Sequence, residues 1–113
     1  IKDIPIKLRL RYQLELSSKS LVDAAEKILI DLYGSSWISR YNNELLRLNI
    51  TYQAVTKDDE YTLTYIPGNG MTLALNGKPK VTINNDKFSQ DYLNIWLGNH
   101  DETINLSNNL LGR

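Results

Sequence analysis

From Ile6 to Leu16 the apolar side chains Ile6, Leu8, Leu10, Tyr12, Leu14 and Leu16 alternate without a break with Lys7, Arg9, Arg11, Gln13 and Glu15. A period of two places one set on a core and the other in water, which predicts a long half-buried strand. Ser17, Ser18 and Ser20 then offer hydroxyls for a helix cap, with Asp23 three residues after Ser20. Leu21, Ala24, Ala25, Ile28, Leu29 and Leu32 recur at helical spacing up to Gly34, as an amphipathic helix requires. A second start at Ser36 leads into Trp37, Ile38, Tyr41, Leu45 and Leu48, which share one helical face and predict a helix ending near Asn49.

Beyond the polar turn Lys57-Asp58-Asp59-Glu60, alternation returns. Tyr61, Leu63 and Tyr65 face one way and Thr62 and Thr64 the other, Pro67-Gly68-Asn69-Gly70 punctuates, and Met71, Leu73 and Leu75 resume the pattern. Asn76-Gly77 is a strong hairpin signal because both turn positions need positive φ. Residues 61 to 83 therefore read as a three-strand meander. Asn85 or Asp86 is placed to cap a last major helix whose Phe88, Tyr92, Leu93, Ile95, Trp96 and Leu97 cover a wide face before Gly98. A short helix through Leu106, Leu110 and Leu111 is expected to close the chain. Strand, two helices, three strands and two helices make an α+β domain, with helices packed on one face of an antiparallel sheet.

The 113 residues suit one domain with one core, and there is no internal repeat. Thirteen basic against thirteen acidic residues, with no run of like charge, argue against a nucleic-acid partner or an anionic membrane surface. No stretch reaches the roughly 18 apolar residues of a membrane span. The chain starts at Ile1 rather than Met, so a trimmed N-terminus is expected and a signal peptide could have been removed.

The absence of cysteine excludes disulfides, thiolate chemistry and Cys-bound zinc. His100 is the only histidine, so no Ser-His-Asp, Cys-His or multi-histidine metal site can be assembled, and neither metal nor cofactor is expected. Asp58-Asp59 beside Lys57 reads as a solvated turn rather than an acid/base pair. Gly68-Asn69-Gly70 lacks the third glycine and the helix that a phosphate-binding loop needs. Asn49-Ile50-Thr51 and Asn105-Leu106-Ser107 match the glycosylation tripeptide, a match too common by chance to carry weight.

One set of residues points to a family. Tyr61-Thr-Leu-Thr-Tyr-Ile-Pro-Gly-Asn-Gly70, Leu75-Asn-Gly-Lys78, Phe88, Ile95-Trp-Leu-Gly98 and Leu110-Leu-Gly112 resemble, in order and spacing, the C-terminal half of the bacterial chalcone isomerase-like family. Leu8-Arg-Leu-Arg-Tyr12, Ser17-Ser18 and Leu21-Val-Asp-Ala24 match that family's long strand, its serine-led cap and its first helix. The resemblance runs from about Ile6 to Gly112, the C-terminal two-thirds of the family domain. It implies an open-faced β-sandwich in which residues 1 to 113 form a single domain lacking the family's N-terminal strands.

Plant chalcone isomerases close a flavanone ring using an arginine from an early strand and polar residues in a cleft. The arginine has no counterpart here. Laid over the plant pattern, Leu21 falls where the enzyme has a tyrosine, Ile28 where it has an asparagine and Ile95 where it has a substrate-contacting threonine. Each change removes a group able to hydrogen-bond an oxyanion, so the resemblance implies a non-catalytic domain, with an isomerase (an intramolecular lyase) the weakest reading. Non-catalytic relatives bind fatty acids, which makes Leu21, Ala25, Ile28 and Ile95 the candidate wall of a ligand cleft. The plainer reading, and the favoured one, is that they fill the core between helices and sheet, and the alternative for the whole chain is a structural or interaction domain without ligand. Trp37 and Trp96 read as packing anchors, Arg9 and Arg11 as solvated, and His100 as an exposed helix-end residue. The bacterial branch carries signal peptides, which implies the periplasm. Without the N-terminal strands at least one sheet edge is expected to be bare, open to a homodimer or to another part of a longer polypeptide.

Overall fold

The computed structural model describes residues 4–97. In chain order they form β1 (Ile6–Arg11), α1 (Ser18–Tyr33), α2 (Ser35–Arg40), α3 (Asn42–Asn49), β2 (Glu60–Ile66), β3 (Gly70–Leu75), β4 (Lys78–Ile83) and α4 (Asp86–Leu97). The strands lie side by side in the order β1-β2-β3-β4, every pair antiparallel. The helices cover one face, as α+β patterning predicts. The expected short helix at Leu106 to Leu111 lies outside the described residues.

β1 is shorter than the alternation of residues 6 to 16 implies. Tyr12 still donates from its backbone to Asp59 (2.9 Å) and accepts from Asp58 (2.8 Å), so two residues of the neighbouring segment oppose one. Such a bulge bends the chain away. Leu14 is exposed, and pairing resumes only as an isolated bridge between Leu16 and Val55. The second predicted helix is likewise two, α2 and α3, meeting at Tyr41 with φ −105° and ψ 25°, outside the helical region. The Tyr41 ring packs on Trp37 and on Phe88 of α4, at centroid distances of 4.9 and 5.6 Å, which couples the break to aromatic packing.

Elsewhere local chemistry acts as the sequence predicts. Ser17 caps α1 by accepting from the Ser20 N–H (3.1 Å), and Gly34 ends that helix at φ +85°. Asn85 caps α4 by accepting from the Phe88 N–H (3.0 Å). Asn76 and Gly77, with φ of 51° and 83°, make the tight turn between β3 and β4. Gly70 is needed for two reasons: its φ is +79°, and a Cβ there would stand 2.0 Å from the Ile83 carbonyl oxygen. Asp86 accepts from the N–H groups of Gly68 (2.7 Å) and Gly70 (3.1 Å), tying the β2–β3 turn to the start of α4.

The core is the helix-facing side of the sheet. Leu10, Tyr61, Leu63, Tyr65, Met71, Leu73 and Ile83 meet Leu29, Leu48, Phe88, Tyr92 and Leu93, all buried. Each such side chain contributes roughly 1.5 to 3 kcal/mol through apolar burial.

Candidate functional site

Leu21, Ala25 and Ile28 stand at i, i+4 and i+7 on α1 and therefore share one face. They are 3%, 4% and 2% exposed, and Ile95 of α4 is completely buried. The surface they form is apolar and closed: the side chains belong to the continuous core under the sheet.

α1 and α4 are joined by a polar clasp at one end. The Tyr33 hydroxyl donates to the Asp91 carbonyl (3.0 Å) and accepts from the Asn94 amide (3.0 Å). The Asp91 carboxylate, itself buried, accepts from the Trp37 indole N–H (2.8 Å) and from Lys87 (3.0 Å). Trp37 stacks between Tyr33 and Phe88, at 5.2 and 5.6 Å, and is the packing anchor expected of it. Sequence reasoning passed over this clasp because Asp91 sits among apolar helix positions and Tyr33 at a helix end, with nothing local to pair them.

Next to α4 lies a cluster of tyrosines. The Tyr52 and Tyr92 hydroxyls are hydrogen-bonded at 2.7 Å. The Tyr61 hydroxyl donates to the Gln53 carbonyl (3.1 Å) and accepts from the Gln53 N–H (2.7 Å), and its ring meets Tyr12 and Tyr52 edge-on. Burial pushes the phenols of Tyr12, Tyr52 and Tyr92 well above the ordinary value, with neighbouring phenols pushing Tyr12 and Tyr52 further. They are neutral near pH 7, so they offer hydrogen bonds but no base. Trp96, whose ring lies 5.8 Å from Tyr92, is half-buried rather than sealed in the core. Its indole N–H is nonetheless out of solvent and finds no acceptor among the described residues.

The opposite face of the sheet is different. A recess of about 450 Å³ there is lined by Lys7, Arg9, Thr62, Thr64, Thr72 and Thr82, among others. Thr72 and Thr82 share a hydrogen bond across β3 and β4 (2.8 Å), and Ile66, Ala74 and Pro79 add apolar surface to the same recess. Asp58 and Asp59 are turn residues, as expected. Asp59 accepts from the Thr56 N–H (2.8 Å) and the Asn76 amide (3.0 Å), which hold its carboxyl below the usual range, while Asp58 pairs with Arg11 (3.2 Å). That pair is exposed, so Arg11 stays in solvent as expected while gaining a surface partner. Among the described residues no group of histidine, cysteine or carboxylate side chains could hold a metal ion, and no helix is long and apolar enough to cross a membrane. His100 lies outside the described residues.

Over residues 2–112 the sequence matches the family model described as chalcone isomerase-like. The chain belongs to the chalcone isomerase-like family. No curated protein matches it. Among solved structures it is similar to a fatty-acid binding protein of Arabidopsis thaliana, with a TM-score of 0.68 and 16% identity. That alignment covers 96% of this chain and 56% of the plant protein, so this member of the family spans little more than half the length of that relative. At this identity the likeness establishes the fold, and the open antiparallel sheet with helices on one face is the chalcone isomerase-like arrangement.

Proposed function

We infer that this domain is a non-catalytic chalcone isomerase-like module that takes a long-chain fatty acid, or a ligand of like apolarity, between α1, α4 and the sheet. The observation that carries this reading is the uniformly apolar wall of Leu21, Ala25, Ile28 and Ile95, of which Leu21, Ile28 and Ile95 stand where the isomerase pattern has polar groups. A wall without donors cannot stabilise an oxyanion but suits methylenes. The function in the name of the Arabidopsis relative supports the same ligand class.

In the ligand-free chain the wall is closed, so entry of an acyl chain requires α1 to move from α4. The clasp at Tyr33, Trp37 and Asp91 holds the C-terminal end of α1, so the parting has to begin at its first half, which carries Leu21 and Ala25. The buried Trp96 N–H is a donor available to the carboxylate of such a ligand. The resemblance to the bacterial branch supports a periplasmic setting, which cell fractionation of the source organism would test.

The near-zero exposure of the same four residues favours a second reading, a structural or interaction domain whose cleft is filled by its own side chains. Native mass spectrometry of the mildly extracted protein separates the two. A co-purified fatty acid, restored by adding palmitate to the delipidated chain, supports the first reading. A chain that carries no lipid and takes up none is a filled domain.

A further inference from the structure

Two Asn-Gly pairs lie in the meander, Asn69-Gly70 between β2 and β3 and Asn76-Gly77 between β3 and β4. An asparagine followed by glycine can convert itself. The glycine nitrogen attacks Cγ of the asparagine, a five-membered imide forms, and ammonia leaves with the Nδ2 nitrogen and the proton of the glycine amide. Water then opens the ring at either carbonyl, giving aspartate or its isoaspartyl isomer, whose backbone is one methylene longer. Glycine favours the step because no Cβ hinders the nitrogen and the chain turns freely about it. The fold restrains the two pairs by different means.

At Asn69-Gly70 the nucleophile is held. Gly70 is buried, its N–H donates to the Asp86 carboxylate (3.1 Å), and its backbone lies so close to β4 that a Cβ would stand 2.0 Å from the Ile83 carbonyl oxygen. Ring closure there requires β3 to part from β4 and from the start of α4. At Asn76-Gly77 both residues are exposed and a Cβ on Gly77 would meet nothing, so the nitrogen is accessible. Here the electrophile is held instead. The Asn76 side-chain oxygen accepts from the Glu60 N–H (2.9 Å) and its amide donates to the Asp59 carboxylate (3.0 Å), while the Asn76 N–H donates to the Glu60 carbonyl (2.8 Å). Asp59 is in turn fixed by the Thr56 N–H (2.8 Å). These bonds tie the Asn76 amide to the start of β2, and the nearby carboxylate opposes the negative charge that builds on Oδ1 as the ring closes. We propose that Asn76 is a self-modification site of this domain, converting through an imide with Gly77 to aspartate and isoaspartate, and that the Asp59 carboxylate is the restraint that sets its rate. The product has no amide to donate to Asp59 and sets a second carboxylate beside it, so the conversion loosens the tie between the β3–β4 turn and β2.

The test incubates the whole chain at mildly alkaline pH, folded and in concentrated urea, and follows both pairs by mass spectrometry. The tryptic peptide from Asp58 to Lys80 carries both, since Lys78 precedes a proline, and fragment masses assign a gain of one dalton to Asn69 or to Asn76. In urea the two should convert at similar rates. In the folded chain both should slow, Asn69 the more, and Asn76 by at least about tenfold because two side-chain hydrogen bonds must break first. Asp59→Ala should raise the folded rate at Asn76 roughly threefold or more and leave Asn69 unchanged, and Asp59→Asn, which keeps an oxygen for the Asn76 amide, should fall between it and the wild type. Asn76→Asp, the stand-in for the product, should speed exchange of the Glu60 and Asn76 backbone amides, and unchanged exchange overturns the loosening. The assignment of the site is overturned if the folded chain converts Asn69 as much as Asn76, or converts Asn76 as fast as in urea. The role of Asp59 is overturned if Asp59→Ala leaves or lowers the rate at Asn76, or if it raises both sites together, which would make general loosening of the fold the control.

Discussion

Truncating the α1 wall reports both on packing and on ligand. Leu21→Ala or Ile28→Ala removes three carbons from side chains that are 3% and 2% exposed. At about 0.8 kcal/mol for each buried methylene, the transfer loss alone is roughly 2.4 kcal/mol. The void left behind brings the expected cost to about 2 to 5 kcal/mol, as for any well-packed core position. Leu63→Ala, at the completely buried centre of β2, is the benchmark and should fall in the same range. Urea denaturation at constant m value gives these numbers. Palmitate then distinguishes wall from plain core. At one hundred times its dissociation constant it should stabilise the wild type by about 2.7 kcal/mol. It should stabilise Ile28→Ala by more, because the void removes part of the cost of parting α1 from α4. Leu63→Ala should show no such excess. A loss under about 1 kcal/mol at Leu21 and Ile28, beside a full loss at Leu63, would refute the packing described for the wall. A palmitate effect absent from all three proteins would refute the ligand.

Gly77→Ala meets open space and should cost only the backbone strain of positive φ, about 1 to 2 kcal/mol, whereas Gly70→Ala drives a Cβ into the Ile83 carbonyl and should cost more than about 3 kcal/mol; equal losses in thermal or urea unfolding would show that the β3–β4 approach is looser than the structure has it. Asp91→Ala leaves the buried Trp37 N–H without its acceptor and should cost about 1 to 3 kcal/mol, while Asp91→Asn keeps an acceptor oxygen and should cost less, an order that urea titration checks. The raised phenols of Tyr12, Tyr52 and Tyr92 predict alkaline unfolding. Above about pH 10 the unfolded chain releases its phenolic protons first, so stability is whole below that pH and falls as pH rises, and Tyr92→Phe should make the fall shallower; a stability flat to pH 12 would contradict their burial.

Periodicity and punctuation in the chain determine most of the architecture. The alternation of Tyr61, Leu63 and Tyr65 and of Met71 and Leu73, the Asn76-Gly77 turn, the Ser17 cap and the stop at Gly34 act over a few residues, and the structure keeps each of them. Local pattern failed where a distant contact intervened. The alternation runs on to Leu16, but pairing with the Asp58-Asp59 turn bends the strand after Tyr12, and a helix continuous in pattern breaks at Tyr41, whose ring packs on Phe88 from far along the chain. The candidate wall was legible as far as chemistry goes: Leu21, Ala25, Ile28 and Ile95 are apolar by type and share faces by spacing. Only the tertiary structure could decide that they are closed in the core, that Asp91 and Tyr33 clasp α1 to α4, and that Tyr52 and Tyr92 share a hydrogen bond. Helix spacing and turn chemistry act between neighbours in sequence; burial and long-range hydrogen bonds depend on which elements the fold brings together.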